Sequence, residues 1–271
     1  MYLNCKTYFS FLYGTYSTEE LVKAAVENGV TTLALTNINN TCDMWDFVDF
    51  CREQNIKPVA GTEIRNGSEL LYILLAKNNK GFQLINRFLS EHLHEKKSFP
   101  ERPAFSEDIY IIYPFGKIAL NQLGKDELIG VQTTEINKLF GLSARFYAHK
   151  LVIRQPVTFQ NKTYYNVHRL LQAIDKNIIL SKQDHNTLSG QHETFIPASQ
   201  LMQVFQQYPG IITNTLKVLE NCSIDLDFHI DKTKKIYSPP KEDDKILLQK
   251  LAITGMKQRY GSGNKKATER V

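Results

Sequence analysis

An α/β fold on a mostly parallel sheet is expected from two features of the chain. Short β-rich runs alternate with amphipathic helical runs from the first residues to about position 175. The 271 residues, 42% of them hydrophobic, suffice for one large core, or for a core and an appendage.

The elements follow in order. Leu3 to Phe9 alternates and reads as a strand. Ser17-Thr18-Glu19-Glu20 has the S-x-x-E form of a capping box, and the helix it opens ends at Gly29. Thr31 to Thr36 is a buried strand, and Trp45, Val48, Phe50 and Cys51 mark a second helix. Strands are expected at Pro58 to Ala60 and Leu70 to Leu75, then a helix from Gly81 to Leu93 with Phe82, Ile85, Phe88 and Leu89 on one face. Further strands are expected at Ile109 to Tyr113, Leu128 to Val131, Arg145 to Ala148 and Lys150 to Ile153. Helical segments fall at Thr134 to Phe140 and Tyr164 to Asp175. After Pro197 the pattern turns helical, from Gln200 to Tyr208 and from Pro209 to Cys222, with Pro209 suited to a first turn. A loop with Pro239-Pro240 precedes a last helix from about Asp243 to Tyr260, and the polar end from Gly261 to Lys266 reads as frayed.

Composition excludes several classes. No apolar run is long enough to span a bilayer, and the start lacks a signal-peptide layout, so a cytoplasmic location is expected. Cys5, Cys42, Cys51 and Cys222 show no CxxC spacing, which argues for reduced, mostly buried thiols. The net charge of +5 is uneven: residues 231–271 hold 11 basic and 5 acidic side chains, the remainder 22 and 23. The body is therefore no basic nucleic-acid surface, and the tail is either solvated or meets phosphates. No GxSxG, P-loop or dinucleotide fingerprint appears.

Four stretches carry a family resemblance. They are Leu3-Asn4-Cys5-Lys6-Thr7-Tyr8-Phe9-Ser10-Phe11-Leu12-Tyr13-Gly14, Leu33 to Asn40, Ile56-Lys57-Pro58-Val59-Ala60-Gly61-Thr62-Glu63, and Leu74-Leu75-Ala76-Lys77-Asn78 with Gly81. In order and spacing they resemble the PHP (polymerase and histidinol phosphatase) domain of bacterial DNA polymerase III alpha subunits. Phe195 to Cys222 and Leu247 to Gly261 resemble the helical stretches that lead into the polymerase region. The resemblance implies a distorted (β/α)7 TIM-like barrel over residues 1–194. It implies a helical extension over 195–271 leading to a palm and thumb.

The resemblance also implies where metal ligands would fall. Active relatives gather two or three metal ions with histidines and carboxylates, which activate water and clamp phosphate. Here the ligand positions fall on Asn4, Lys6, Asn37, Ile38, Pro156 and Thr158. A protonated Lys has no lone pair to give, and Ile coordinates nothing. Glu63 remains, with His92 or His94 a loose match. No metal site and no cofactor are expected in these residues; Mg²⁺ is implied only for the polymerase region. Glu63 is expected to cap a loop or pair with a base such as Lys6. His92 and His94 read as a solvated helix end, His168 as packed or hydrogen-bonded, and His185 and His192 as exposed. His149 and His229 match no ligand position. The implied function is a structural and docking module of a DNA-directed polymerase, a nucleotidyltransferase acting on DNA, with a proofreading exonuclease as a possible partner and no membrane contact. The alternative is a metal-dependent 3′–5′ exonuclease or phosphoesterase.

Overall fold

The computed structural model describes residues 1–105, 107–140, 146–184, 188–227, 237 and 241–270. The chain divides into a compact unit, Met1–Leu226, and a second unit, Asp227–Val271.

Among the described residues, the first unit carries eight strands: β1 (Tyr2–Cys5), β2 (Thr32–Leu35), β3 (Lys57–Asn66), β4 (Glu69–Ala76), β5 (Ile109–Pro114), β6 (Glu127–Val131), β7 (Leu151–Ile153) and β8 (Pro156–Val157). They form one sheet in the order β7-β6-β5-β4-β3-β2-β1-β8. Every pairing is parallel except the two made by β4, which runs antiparallel to β3 and β5.

That order requires a curled sheet. β7 and β8 are the outer strands, yet only Arg154 and Gln155 separate them in the chain. Strands about 4.8 Å apart in a flat sheet would hold those edges about 34 Å from each other. Three Cα steps reach only about 11 Å. The sheet therefore wraps into a barrel with its seam between β7 and β8. β4 and the replacement of helices by 3₁₀ turns at Leu120–Gln122 and Thr133–Leu139 distort it.

Helices α1 (Thr18–Glu27), α2 (Met44–Glu53), α3 (Asn79–His94) and α4 (Lys162–Asp175) form where the apolar periodicity placed them. Ser17 and Glu20 complete the reciprocal capping box of α1. Asn78 caps α3 and Asn161 caps α4. Two further helices follow, α5 (Ala198–Val204) and α6 (Pro209–Glu220), with Pro209 in the first turn of α6. The main core joins Leu3, Ala34, Val59, Ile73, Leu75, Ile112, Leu128 and Val152, from β1 to β7, to Val218 and Leu219 of α6. The Tyr2 hydroxyl donates to the Ile196 carbonyl, tying β1 to the segment before α5.

The loop after β1 folds back on itself. Tyr8 N–H donates to Tyr16 O over 2.8 Å, and Gly14 N–H to Ser10 O over 3.0 Å. An added Cβ at Gly14 would collide with the Thr7 carbonyl, a backbone group that cannot swing aside. Gly14→Ala is expected to destabilise the unit by about 1–3 kcal/mol, as other overpacking changes do. An unchanged urea midpoint would contradict that.

Two expectations need correction. The segment read as a strand from Arg145 to Ala148 is a turn at Phe146 and Tyr147 that runs into a 3₁₀ turn, Ala148–Lys150, with Arg145 outside the described residues. Phe146 is exposed, and the turn delivers Leu151 into β7. In the second unit, α7 (Lys241–Tyr260) ends at Gly261, whose φ of 79° breaks the helix. The polar end beyond it is no frayed coil: Asn264 caps a short helix, α8 (Lys265–Thr268), by accepting from Ala267 N–H at 3.1 Å. His185, His229 and the Pro239-Pro240 loop lie outside the described residues.

Candidate functional site

Glu63 sits on β3 with its carboxylate fully buried. The strand position is fixed by backbone bonds to the segment after β2: Glu63 N–H to Asn37 O at 3.0 Å and Asn39 N–H to Glu63 O at 2.8 Å. Three groups converge on the side chain. Lys6 Nζ lies 2.9 Å from Oε2, and Asn4 Nδ2 donates to the same oxygen at 2.7 Å. Arg65 Nε donates to Oε1 at 2.5 Å. Thr36 Oγ1 accepts from Asn4 Nδ2 at 3.1 Å, which orients that amide.

The pairing of Glu63 with Lys6 is the one expected from sequence. Arg65 was not anticipated, although it follows Glu63 by two residues on one strand and so shares its face. Its guanidinium also stacks 4.5 Å over the Tyr13 ring and donates to the Tyr13 hydroxyl at 3.0 Å. Burial alone would raise the Glu63 carboxyl. Arg65, Lys6 and the Asn4 and Lys6 hydrogen bonds outweigh it and bring the pKa down to about 2. Glu63 is thus an anion held by two cations.

These groups face a cavity of about 290 Å³ at the barrel mouth, which Arg154, Pro156 and Glu193 also line. Glu193 accepts from Thr158 Oγ1 at 2.5 Å and from Gly190 N–H at 3.3 Å. Burial would raise its carboxyl, but Lys6, the Thr158 bond and Arg65 hold it below the ordinary range.

The remaining predicted positions serve hydrogen bonding or packing. Asn37 Oδ1 accepts from Thr7 N–H and Ser10 Oγ, each at 2.8 Å, while Nδ2 donates to Asp43 Oδ1 at 2.7 Å. Asp43, unforeseen from sequence, is buried and also accepts from the Thr7 and Thr18 hydroxyls. Burial raises its carboxyl despite those bonds. Ile38 bridges to Glu63 through its backbone. Pro156 opens β8 opposite Asn4. Among the described residues, no three His, Cys, Asp or Glu side chains group so as to hold a metal ion.

The histidines divide differently from the sequence reading. His94 is exposed, but His92 is no solvated helix end. It stacks on Phe99 at 5.0 Å, packs against Phe88 and bonds the Phe88 carbonyl at 2.8 Å. The aromatic cluster recruits it because Phe88 lies four residues earlier on the same helical face. His92 does not line the mouth cavity. His192 is exposed, as expected.

His168 is fully buried on α4 among Tyr13, Phe159 and Tyr165. Its Nδ1 meets the Tyr13 carbonyl at 2.7 Å and must carry the proton, so Nε2 accepts from Ser189 N–H at 3.2 Å. Burial lowers its pKa below the ordinary 6.5. A depressed folded value means that stability is complete above the unfolded pKa and falls as pH drops below it. Stability is expected to decline below about pH 6.5 by up to about 1.4 kcal/mol per pH unit from this residue. His168→Gln should remove that component of the slope while lowering the baseline. A wild-type slope retained by the variant would show that other groups cause it.

Cys5 adjoins Lys6, but it is fully buried, and burial pushes its thiol up to about 12, which disfavours the reactive thiolate. Cys51 and Cys222 are buried as well, and Cys42 is exposed.

Residues 3–185 match the family model described as PHP domain. The chain is 26% identical over 265 residues to DNA polymerase III subunit alpha of Staphylococcus aureus (strain COL), covering 95% of this chain and 24% of the relative. It is 21% identical over 274 residues to DNA polymerase III subunit alpha of Halalkalibacterium halodurans, covering 89% and 24%. The chain thus spans about a quarter of the length of these curated relatives. A solved amidohydrolase from Chromobacterium violaceum, with bound sulfate and no metal, overlays with a TM-score of 0.40 at 9% identity, covering 58% of this chain and 87% of that one. The fold assignment rests on the strand order and its closure, not on that overlay. The wrapped sheet, the buried Glu63 at its mouth and the family match over residues 3–185 agree, and the chain belongs to the PHP domain family.

Proposed function

We propose that this chain is the N-terminal module of a DNA polymerase III alpha subunit, and that its barrel supports the polymerase region instead of hydrolysing phosphate esters. The alignment with alpha subunits over most of the chain supports the first part. One observation carries the second: Lys6 occupies the Glu63 carboxylate at 2.9 Å where a relative would set a metal ligand. The donor set does not suit the metal centre of active relatives. Asn4 is spent on Glu63 and Thr36, Pro156 offers no side-chain donor, and an ammonium repels a divalent ion. The protein's own cation takes the electrostatic place of the metal.

In this reading the parent protein is a cytoplasmic, Mg²⁺-dependent nucleotidyltransferase acting on primed DNA. The module's partners are the polymerase region of the same chain and a proofreading exonuclease. No helix among the described residues is long and apolar enough to cross a membrane.

Metal analysis of the purified chain, with an assay on 3′-end-labelled DNA, tests the reading. Substoichiometric Zn²⁺ and Mn²⁺ and no nuclease activity are expected. Stoichiometric metal with activity abolished by Glu63→Ala would establish a phosphoesterase instead.

A further inference from the structure

The charges at the barrel mouth do not balance. Three cations, Lys6, Arg65 and Arg154, line the cavity with two carboxylates, Glu63 and Glu193. Lys6 and Arg65 bracket Glu63. Both Glu193 side-chain oxygens are engaged, by the Thr158 hydroxyl and the Gly190 N–H. The surplus positive charge falls on Arg154, only 5% exposed.

Among the described residues no carboxylate forms a direct ion pair with Arg154; Glu63, Glu135 and Glu193 act on it only from a distance. Its Nε has no hydrogen-bond partner among the described residues. Its terminal nitrogens face the neutral Gln132 amide, which lies 3.0 Å from His192 Nε2 on its other side; turning that amide over would bring its oxygen to the guanidinium and let its nitrogen donate to His192. The fold makes room for this side chain. Gly130 on β6 has no Cβ, and one added there would lie 2.8 Å from Arg154 Cβ and 2.9 Å from Cδ. A buried guanidinium cannot shed its proton, and folded proteins seldom leave one uncompensated.

We propose that the mouth cavity is a metal-independent binding site for a small, singly charged oxyanion, with Arg154 as its anchor. A planar guanidinium presents paired N–H donors matched to carboxylate or phosphate oxygens. One negative charge neutralises the surplus, and two would leave the site overcharged. The cavity's 290 Å³ lies at the small end for ligand sites, which fits a singly charged phosphodiester or carboxylate group on a compact carrier. The inference goes beyond the structural-module reading and needs only that protein cations face the cavity.

The test uses the full chain in metal-depleted buffer at mildly acidic pH, where inorganic phosphate is mostly the monoanion and acetate is ionised. Sodium phosphate and, separately, sodium acetate are titrated against sodium chloride at matched ionic strength. Calorimetry and the ¹⁵N–¹H resonance of Arg154 Nε are followed. Saturable binding of either oxyanion at one site is expected, weakened roughly tenfold or more in Arg154→Gln. Gly130→Ala should weaken it as well, by displacing the anchor. Tighter phosphate binding identifies a phosphate group as the ligand chemistry, and tighter acetate binding a carboxylate. The proposal is overturned when neither anion exceeds chloride, when Arg154→Gln binds as well as the parent, or when binding requires added Mn²⁺. If Arg154→Gln does not fold, Arg154→Lys and the parent resonance decide, and a resonance unmoved by both anions overturns it. Failure here leaves the module reading standing, because metal content and nuclease activity are measured separately.

Discussion

Glu63→Gln is expected to destabilise the barrel by about 3–5 kcal/mol, the cost of removing one partner from a buried ion pair. The variant keeps the shape of the side chain and removes its charge. Lys6 and Arg65 would then share a buried site with no anion between them. Lys6→Met should cost less, because Arg65 and Asn4 still hold Glu63. The two changes are coupled through one contact, so Lys6→Met with Glu63→Gln should cost less than their sum, by about 1–3 kcal/mol. Urea denaturation of the four proteins measures this. Strict additivity would mean that the ammonium does not compensate the carboxylate, and the idea of a protein cation standing in for a metal would fall with it.

The second large effect appears in acid. The folded pKa of Glu63 is about 2, against an ordinary value of 4.5. A depressed carboxyl binds its proton more weakly in the folded chain than in the unfolded one. Its contribution is therefore complete above pH 4.5 and is lost as pH falls toward 2. The gap corresponds to about 3 kcal/mol. Glu193 shifts in the same direction and adds to the loss. Asp43 shifts the other way: its raised carboxyl favours the folded state as pH falls, and blunts the decline. Denaturation midpoints taken across this range should fall steeply for the parent chain and less for Glu63→Gln. Parallel curves would place the acid sensitivity elsewhere.

Much of this architecture was legible in the sequence because it is local. Caps and apolar periodicity located α1 to α4, and β-rich runs located most strands. The misses share a physical cause. β8 escaped notice because Pro156 opens it, and proline is read as a strand breaker except at a first position or an edge. β3 runs on to Asn66, but its apolar pattern is interrupted by Gly61, which packs closely against Leu74 and Leu75, and by Glu63 and Arg65, which serve the mouth and not the oily core. At the site, Glu63 with Lys6 could be inferred because the implied ligand positions bring them together. Arg154 and Glu193 could not, because only the wrapping of the sheet carries them to residues near the chain start. His92 misled because charged neighbours in sequence concealed an aromatic cluster in space.

The position of β1 sets a schedule for the nascent chain. Within the barrel this strand emerges before the others and pairs with β2 soon afterwards, but its other edge must wait for β8, about 150 residues later. At ribosomal rates of about 5–20 residues per second, that interval is about 8–30 s. For all of it, one side of β1 carries unsatisfied backbone donors and acceptors, an edge open to pairing with other chains. A cell making this protein would gain from shielding β1 until Val157 has left the ribosome.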